Sequence, residues 1–281
     1  MPAVASPLAV LTPILATVFG LAIGSFLNVV IYRVPRELSV VSPPSACPGC
    51  ASEISARDNV PVISWLALRG RCRNCGMRIS ARYPLVEAAT AALFLVTALR
   101  FPVVASVDDG TVLAASIVAL VAFLYLIAIS VALSAIDLEL HRLPNSIVLP
   151  SYGVGVLLLG AASLLAGDLE SIARAAAGAG VLFVFYLVLA LAKPGGMGLG
   201  DVKLAGVIGL YLGWLGWGPL IVGVAAAFVL GGIVGIVLIL IRRANRSSGI
   251  PFGPWMLAGA WVGILAGQEL SSGYLSLVGI S

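Results

Sequence analysis

The chain has 281 residues, of which 60% are hydrophobic and only 10% are charged, and its mean hydropathy is +1.12. About a quarter of the residues of a soluble domain are charged. This composition therefore excludes a water-soluble globular protein and indicates a chain that crosses a membrane several times. In such a chain the basic residues behind the net charge of +4 are informative about its orientation in the membrane. They do not indicate a nucleic-acid partner, and none is expected.

Eight segments are long and apolar enough, or nearly so, to form helices of about 20 residues that span a bilayer. One apolar run, residues 202–241, has room for two of them, and the sequence Gly216-Trp217-Gly218-Pro219 predicts the turn between the two. The first segment lacks the basic start and the cleavage site of a secretory signal, so we expect a retained helix. The predicted fold is an all-α polytopic membrane protein with spans at about 7–32, 84–107, 112–136, 144–166, 172–192, 202–217, 219–241 and 250–267.

The orientation follows from the loops, because cytoplasmic loops carry the excess of Lys and Arg. With the N-terminus outside, only Arg100 and Arg174 of the sixteen basic residues lie in outer loops. The other fourteen lie inside: Arg33, Arg36, Arg57, Arg69, Arg71, Arg73, Arg78, Arg82, Arg142, Lys193, Lys203, Arg242, Arg243 and Arg246. We predict three parts: a first transmembrane helix (1–32), a small cytoplasmic domain (33–83) and a seven-helix membrane domain (84–281).

All four cysteines lie in the small cytoplasmic domain, as two C-x2-C pairs separated by 21 residues: Cys47, Cys50, Cys72 and Cys75. Two such pairs can present four thiolates around Zn²⁺, as zinc ribbons do. A domain of this size buries little core, so a structural metal would stabilise it. The alternative is a pair of disulfides, which the reducing cytoplasm disfavours.

Two aspartates lie where predicted spans meet the inner face of the membrane. Asp137 ends the third span and Asp201 begins the sixth, in "GLGDVKLAG", so the two carboxylates can meet although 64 positions separate them. Carboxylates at membrane depth are costly and usually functional. Two that share a proton suit peptide hydrolysis, because one can activate water while the other polarises the carbonyl. The helix dipole favours the ionised form of Asp201, and Gly198 and Gly200 would allow a sharp turn and close approach of a substrate.

The alternatives differ in class. Asp201 alone would make a good helix cap, and Asp137 could be an interfacial charge that reaches water. Both could also bind a cation or relay protons in a transporter, although no internal repeat supports that interpretation. The one amide of the first span, Asn28, is expected to form an interhelical hydrogen bond.

At this point the chain resembles the type IV prepilin peptidases, which are bifunctional leader peptidase/N-methyltransferases of the GxGD aspartic protease group. The resemblance covers nearly the whole length and rests on motifs in one order. They are "GSFLNVVIYRVP" (24–35), the two C-x2-C pairs, "RCRNCGMRISARYPLVE" (71–87), "ID" with the later "LPN" (143–145), "GLGDVKL" (198–204) and "IPFGP" (250–254).

The resemblance implies a multi-pass enzyme of the bacterial plasma (inner) membrane whose active site faces the cytoplasm. It would remove the leader from prepilins or pseudopilins and methylate the new N-terminus with S-adenosylmethionine. The family's catalytic aspartates fall on Asp137 and Asp201, with Lys203 nearby, and its zinc ligands fall on the four cysteines. Glu87 matches a position linked to methyl transfer. Only eleven residues separate Pro35 from Cys47, which is fewer than in many relatives, so a peptidase without methyltransferase activity is the alternative.

Overall fold

The computed structural model describes residues 7–103, 110–193, 197–241 and 251–279. In this part of the chain the secondary structure is helical apart from two isolated β-bridges. The α-helices are α1 (Pro7–Arg33), α2 (Ile63–Ala67), α3 (Arg82–Arg100), α4 (Gly110–Leu140), α5 (Asn145–Ala166), α6 (Leu169–Ala192), α7 (Leu199–Leu215), α8 (Trp217–Leu240) and α9 (Gly253–Leu277).

Six of the described helices, α1, α3, α4, α5, α6 and α8, are long and apolar enough to cross a membrane. The predicted class, an all-helical multi-pass membrane protein, is therefore confirmed. The remaining two predicted spans coincide with α7 and α9, which are not among the six, and α7 has only 17 residues. The predicted start of the eighth span and the basic residues Arg242, Arg243 and Arg246 lie outside the described residues.

The turn predicted near Gly216 is present. Helix α7 ends at Leu215 and α8 begins at Trp217, and Gly216 between them has φ 141°. This is a region of backbone conformation that residues with a Cβ rarely adopt. Glycine at this position therefore ends one helix and starts the next without backbone strain.

The chain divides into two compact units, Met1–Ala132 and Leu133–Ser281. In the first, α1 and α3 pack closely in antiparallel directions. A Cβ at Gly20 would lie 2.8 Å from the Cα of Ala91, and one at Gly24 would lie 2.7 Å from the Cα of Glu87. The side chain of Asn28 donates a hydrogen bond to the carbonyl of Tyr83, 3.2 Å away, so the predicted interhelical bond is confirmed.

The second unit contains α5 to α9 and the last turns of α4. Helix α7 lies in its interior, because the run Val202–Gly213 is buried apart from Lys203. Small residues let α7 approach α6 closely, since a Cβ at Gly178 would lie 2.9 Å from the Cα of Gly213. Burial on all sides explains why a helix too short for a typical span remains apolar throughout.

Candidate active site

Asp201 lies in the first turn of α7 and is held by its own helix. Gly198 is the cap residue, and its N–H donates a 3.1 Å hydrogen bond to Oδ2 of Asp201. This is the reciprocal half of a capping box, in which a side chain in the first turn satisfies a backbone N–H before the helix. Asp201 is therefore not the cap residue itself but supports the cap from the first turn, and this role leaves its second carboxylate oxygen available for a chemical role.

Asp137 lies in the last full turn of α4, where it is 5% exposed. Its Oδ2 accepts a 3.1 Å hydrogen bond from the N–H of Gly253, the first residue of α9. The partner is 116 positions away in the sequence. The buried carboxylate of Asp137, at the end of α4, thus binds the start of a different helix, α9. It is not an interfacial charge directed to water.

The two aspartates are brought together. Both sides of the site pack on Leu143, between α4 and α5. A Cβ at Gly200 would lie 3.1 Å from Cβ of Leu143, and one at Gly253 would lie 3.2 Å from its Cδ2. Each carboxylate has one oxygen bound to a backbone N–H at a helix start, and these bonds fix the orientation of both groups.

The glycines of the "GLGD" sequence have different surroundings from those we predicted. Gly198 has φ −79°, a value that any residue adopts, so no sharp turn there requires glycine. Gly200 is inside α7 and is close to Leu143. Packing against Leu143 therefore explains why a residue without a side chain is found at this position.

Lys203 points to α5 rather than into the pair of aspartates. Its Nζ donates a 3.0 Å hydrogen bond to Oδ1 of Asn145, the first residue of α5. The hydroxyl of Tyr152, also on α5, donates to the backbone carbonyl of Lys203 at 2.6 Å. These two bonds fix the start of α7, and with it Asp201, against α5.

Sequence reasoning missed Tyr186. It is 2% exposed on α6, its ring stacks on Phe228 with centroids 5.8 Å apart, and its ring centroid lies 6.3 Å from that of Phe252. Phe252, directly before Gly253, lies 5.4 Å from the Phe228 ring. An aromatic residue in an apolar span carries no sequence signal of this proximity, so only the packing could identify it.

The four cysteines form one cluster with no disulfide. Their sulfur atoms all lie within 4.8 Å of one another, with Cys47 and Cys75 at 3.7 Å and Cys50 and Cys72 at 4.0 Å. Four thiolates at tetrahedral Zn–S distances would have sulfur atoms about 3.8 Å apart. The cluster could therefore hold a metal ion, and its geometry fits zinc.

Local hydrogen bonds favour the thiolate form at two of the four cysteines, whereas, despite a backbone bond from Met77, burial and the neighbouring thiols raise the pKa of Cys75 to about 11. Bonds from Ser52, first from its side chain and then from its backbone, lower the pKa of Cys50 to about 6. Backbone bonds from Cys75 and Asn74 lower the pKa of Cys72. Because a metal binds thiolate and not thiol, these bonds favour the ligating form of Cys50 and Cys72.

Glu87 lies in the first unit, away from water. It is 8% exposed, and its Oε2 accepts a 2.7 Å hydrogen bond from the N–H of Val62, just before α2. Val62 has φ 60° and is the centre of a three-residue turn, in which the N–H of Ile63 donates to the carbonyl of Pro61 at 2.6 Å. A β-branched residue at positive φ is strained. Glu87 therefore helps to hold an unfavourable turn against the start of α3.

A helical membrane protein with a buried and a half-buried aspartate at one site and a separate four-thiolate cluster belongs to the class of membrane-embedded proteins with paired acidic residues. Two family models match the chain. The bacterial peptidase A24 N-terminal domain matches residues 18–101, and the type IV leader peptidase family matches residues 124–236. The chain belongs to the type IV leader peptidase family.

Curated relatives agree over nearly the full length. The prepilin leader peptidase/N-methyltransferase of Aeromonas salmonicida is 37% identical over 94% of both chains. That of Pseudomonas putida is 35% identical over 94% of both, and that of Bacillus subtilis is 31% identical over 92% of this chain and 96% of its own. No solved structure matches the chain. Family membership does not favour the transporter interpretation.

Proposed function

We propose that the chain is an aspartic endopeptidase that removes the basic leader from prepilin-like subunits and methylates the new N-terminus with S-adenosylmethionine. The observation that carries the proposal is that Asp137 and Asp201 lie at one site beside Leu143, in a chain whose relatives are named for both activities. A direct test is incubation of the purified protein with a prepilin, followed by mass spectrometry of the product's N-terminus.

In the proposed mechanism one aspartate is ionised and the other is protonated, because two nearby carboxylates cannot both be ionised at low cost. The ionised carboxylate takes a proton from water, and the water oxygen attacks the peptide carbonyl. The protonated carboxyl donates a hydrogen bond to that carbonyl oxygen and later helps to protonate the leaving amine. The N–H groups of Gly198 and Gly253 hold one oxygen of each carboxylate, which orients the other oxygens toward the substrate.

The proposed topology has the N-terminus outside and eight spans, with α7 and α9 as the sixth and eighth. It places the active site at the cytoplasmic face of a bacterial plasma (inner) membrane. The proposed division is residues 1–32, 33–83 and 84–281. A prepilin-like substrate suits such a site, because its cleavage point lies between a basic leader and an apolar helix and therefore where water meets lipid.

We propose that the metal is Zn²⁺ and that its role is structural, because all four positions of a tetrahedral site are filled by cysteine sulfur. Replacing Cys72 by serine is expected to remove most of the bound metal and to unfold the segment around it, while the membrane helices stay intact. Metal analysis of the purified protein and limited proteolysis check this. Ser45→Ala, at an exposed position in the same segment, is the control and should retain its metal. Unchanged zinc content in the Cys72 variant would exclude the site.

Glu87 is the residue linked to the proposed methyl transfer. One of its oxygens is bound to Val62, and a single carboxylate does not make a site for a nucleoside and a sulfonium. The contribution of the Glu87 charge can still be tested separately from its hydrogen bond.

Two substitutions of Glu87 separate these contributions. In Glu87→Gln the amide oxygen can still accept the Val62 N–H, so cleavage should persist while methylation of the product falls. In Glu87→Ala the Val62 N–H loses its partner, which should lower the free energy of unfolding by about 1–3 kcal/mol. The metal-binding segment (residues 33–83) should then become sensitive to protease. The mass of the mature subunit, with or without one added CH₂, reports methylation. Full methylation by the Gln variant would leave Glu87 a structural role only.

A further inference from the structure

The short helix α2 lies beside α1 and α3 at a level inside the end of α1, although the segment around it is polar. Asn28 of α1 meets Tyr83 of α3, and Arg33, at the end of α1, is about 7.5 Å further along at a rise of about 1.5 Å per residue. Glu87 is a further four residues inside α3. Its side chain points back toward the start of α3, as helical side chains do, and there Oε2 meets the N–H of Val62. Residue 62, and α2 directly after it, therefore lie nearer the membrane centre than Arg33.

With the outer edge of the leaflet at Arg33, where α1 ends, this level is that of the lipid headgroups. A bilayer is about 40–45 Å thick with a hydrocarbon core of about 30 Å, so each headgroup layer is about 5–7 Å. A step of about 7.5 Å inward from the end of α1 crosses most of such a layer. At this level a free surface of the protein faces lipid rather than bulk water.

The outer face of α2 is apolar. Ile63 and Leu66, three positions apart and therefore on one side of the helix, are 63% and 61% exposed. The inner face is held to the protein by hydrogen bonds. Ser64 is buried, and its hydroxyl donates to the carbonyl of Arg57 at 3.0 Å. The indole N–H of Trp65 donates to the carbonyl of Ile79 at 3.1 Å. The orientation of α2 is thus set by polar contacts, and these contacts leave its two large aliphatic side chains outside.

Arginines flank α2 on both sides. Arg57 precedes it, Arg69 and Arg71 follow it, and all three are exposed. The guanidinium group matches the geometry of phosphate oxygens. An exposed aliphatic face bordered by arginines at headgroup depth has the charge and hydrophobicity of a segment that lies in a membrane interface.

We propose that α2 is an interfacial helix whose occupant is the phospholipid of the adjacent leaflet. Ile63 and Leu66 insert among the upper acyl chains, and the flanking arginines bind headgroup phosphates with a preference for anionic lipids. The metal-binding segment is then not a free appendage but is anchored to the leaflet beside α3. This inference requires only that α1 and α3 span the membrane, and it does not depend on the proposed enzymatic activity.

The test is photo-crosslinking of the full chain in nanodiscs of equal phosphatidylcholine and phosphatidylglycerol. p-Benzoylphenylalanine replaces Ile63 or Leu66, and in the control it replaces Val41, which is 86% exposed. Val41 lies between Ser39 and Pro43, whose carbonyls bind the Arg33 side chain beyond the end of α1. We expect phospholipid adducts at positions 63 and 66 in several-fold excess over position 41. Equal yields at the three positions, or adducts only to protein, would overturn the proposal.

The lipid preference has its own readout. Among the adducts, phosphatidylglycerol should exceed its share of the bilayer, and the excess should disappear in the double variant Arg69→Gln, Arg71→Gln. An adduct ratio equal to the bilayer ratio in the parent protein would refute the anionic preference.

If the benzoylphenylalanine variants lose their metal, and therefore their fold, the unsubstituted chain is labelled with a diazirine-bearing phosphatidylglycerol. Peptide mapping should then find adducts within residues 60–71. Labelling confined to the long membrane helices would overturn the interfacial placement.

Discussion

Replacing Asp137 or Asp201 by asparagine is expected to abolish leader removal, with a loss on the order of a thousandfold or more, as when one member of a catalytic unit is removed. Asparagine has the same shape, and its side-chain oxygen can still accept the N–H of Gly253 or Gly198. The fold should therefore persist while the ionisable group is lost. Conversion of a prepilin to its shorter product on a denaturing gel measures the effect.

The matched control is Glu139→Gln, which removes a carboxylate two positions from Asp137 at an exposed site and should leave cleavage unchanged. Equal amounts of each variant in the membrane fraction show that folding is retained. Cleavage at the parent rate by either asparagine variant would eliminate the paired-aspartate mechanism and leave both residues a capping role.

The second large effect is expected at Gly253. A Cβ there would lie 2.7 Å from Oδ2 of Asp137, closer than real Cβ contacts allow, so Gly253→Ala forces the carboxylate to move and weakens its bond to the Gly253 N–H. A displacement of about 1 Å at a catalytic group can cost about a hundredfold in rate. We therefore expect leader cleavage to fall by about that factor, measured as the initial rate on the same prepilin.

Gly273→Ala tests whether any alanine in α9 has this effect. Gly273 is in the same helix, and a Cβ there would have no atom within 4 Å, so cleavage by this variant should match the parent. If Gly253→Ala is as active as Gly273→Ala, the placement of Asp137 by α9 has no catalytic consequence. Both variants should insert into the membrane normally, because alanine is a better helix former than glycine.

Much of the fold was predictable because it depends on local composition. Long apolar runs predicted the six helices that the structure shows to be long enough to span, and Gly216 predicted the break between α7 and α8. The count of eight spans stays a prediction, because α7 is too short to meet the usual length of a span. The spacing of the cysteines predicted their cluster, since two C-x2-C pairs have few other ways to fold.

The candidate site was predictable only in part. The motif around Asp201 and the position of Asp137 at the end of an apolar run indicated that the two carboxylates could meet, and the structure brings them together. Gly198 was predicted to allow a sharp turn, but its φ is one that any residue adopts. Lys203 was placed near the site, and its actual partner is Asn145. Tyr186 was not found, because aromatic residues are common in apolar spans.

The sequence by itself determined the membrane class, the four cysteines that cluster and the family, because each of these follows from composition or from residues near one another along the chain. The tertiary structure alone decided that Gly253 holds Asp137, that Glu87 holds Val62, and that Ile63 and Leu66 face outward. Membrane helices are apolar on lipid-facing and protein-facing sides alike, so hydropathy does not encode which helices touch. Those contacts are set by close packing between distant segments.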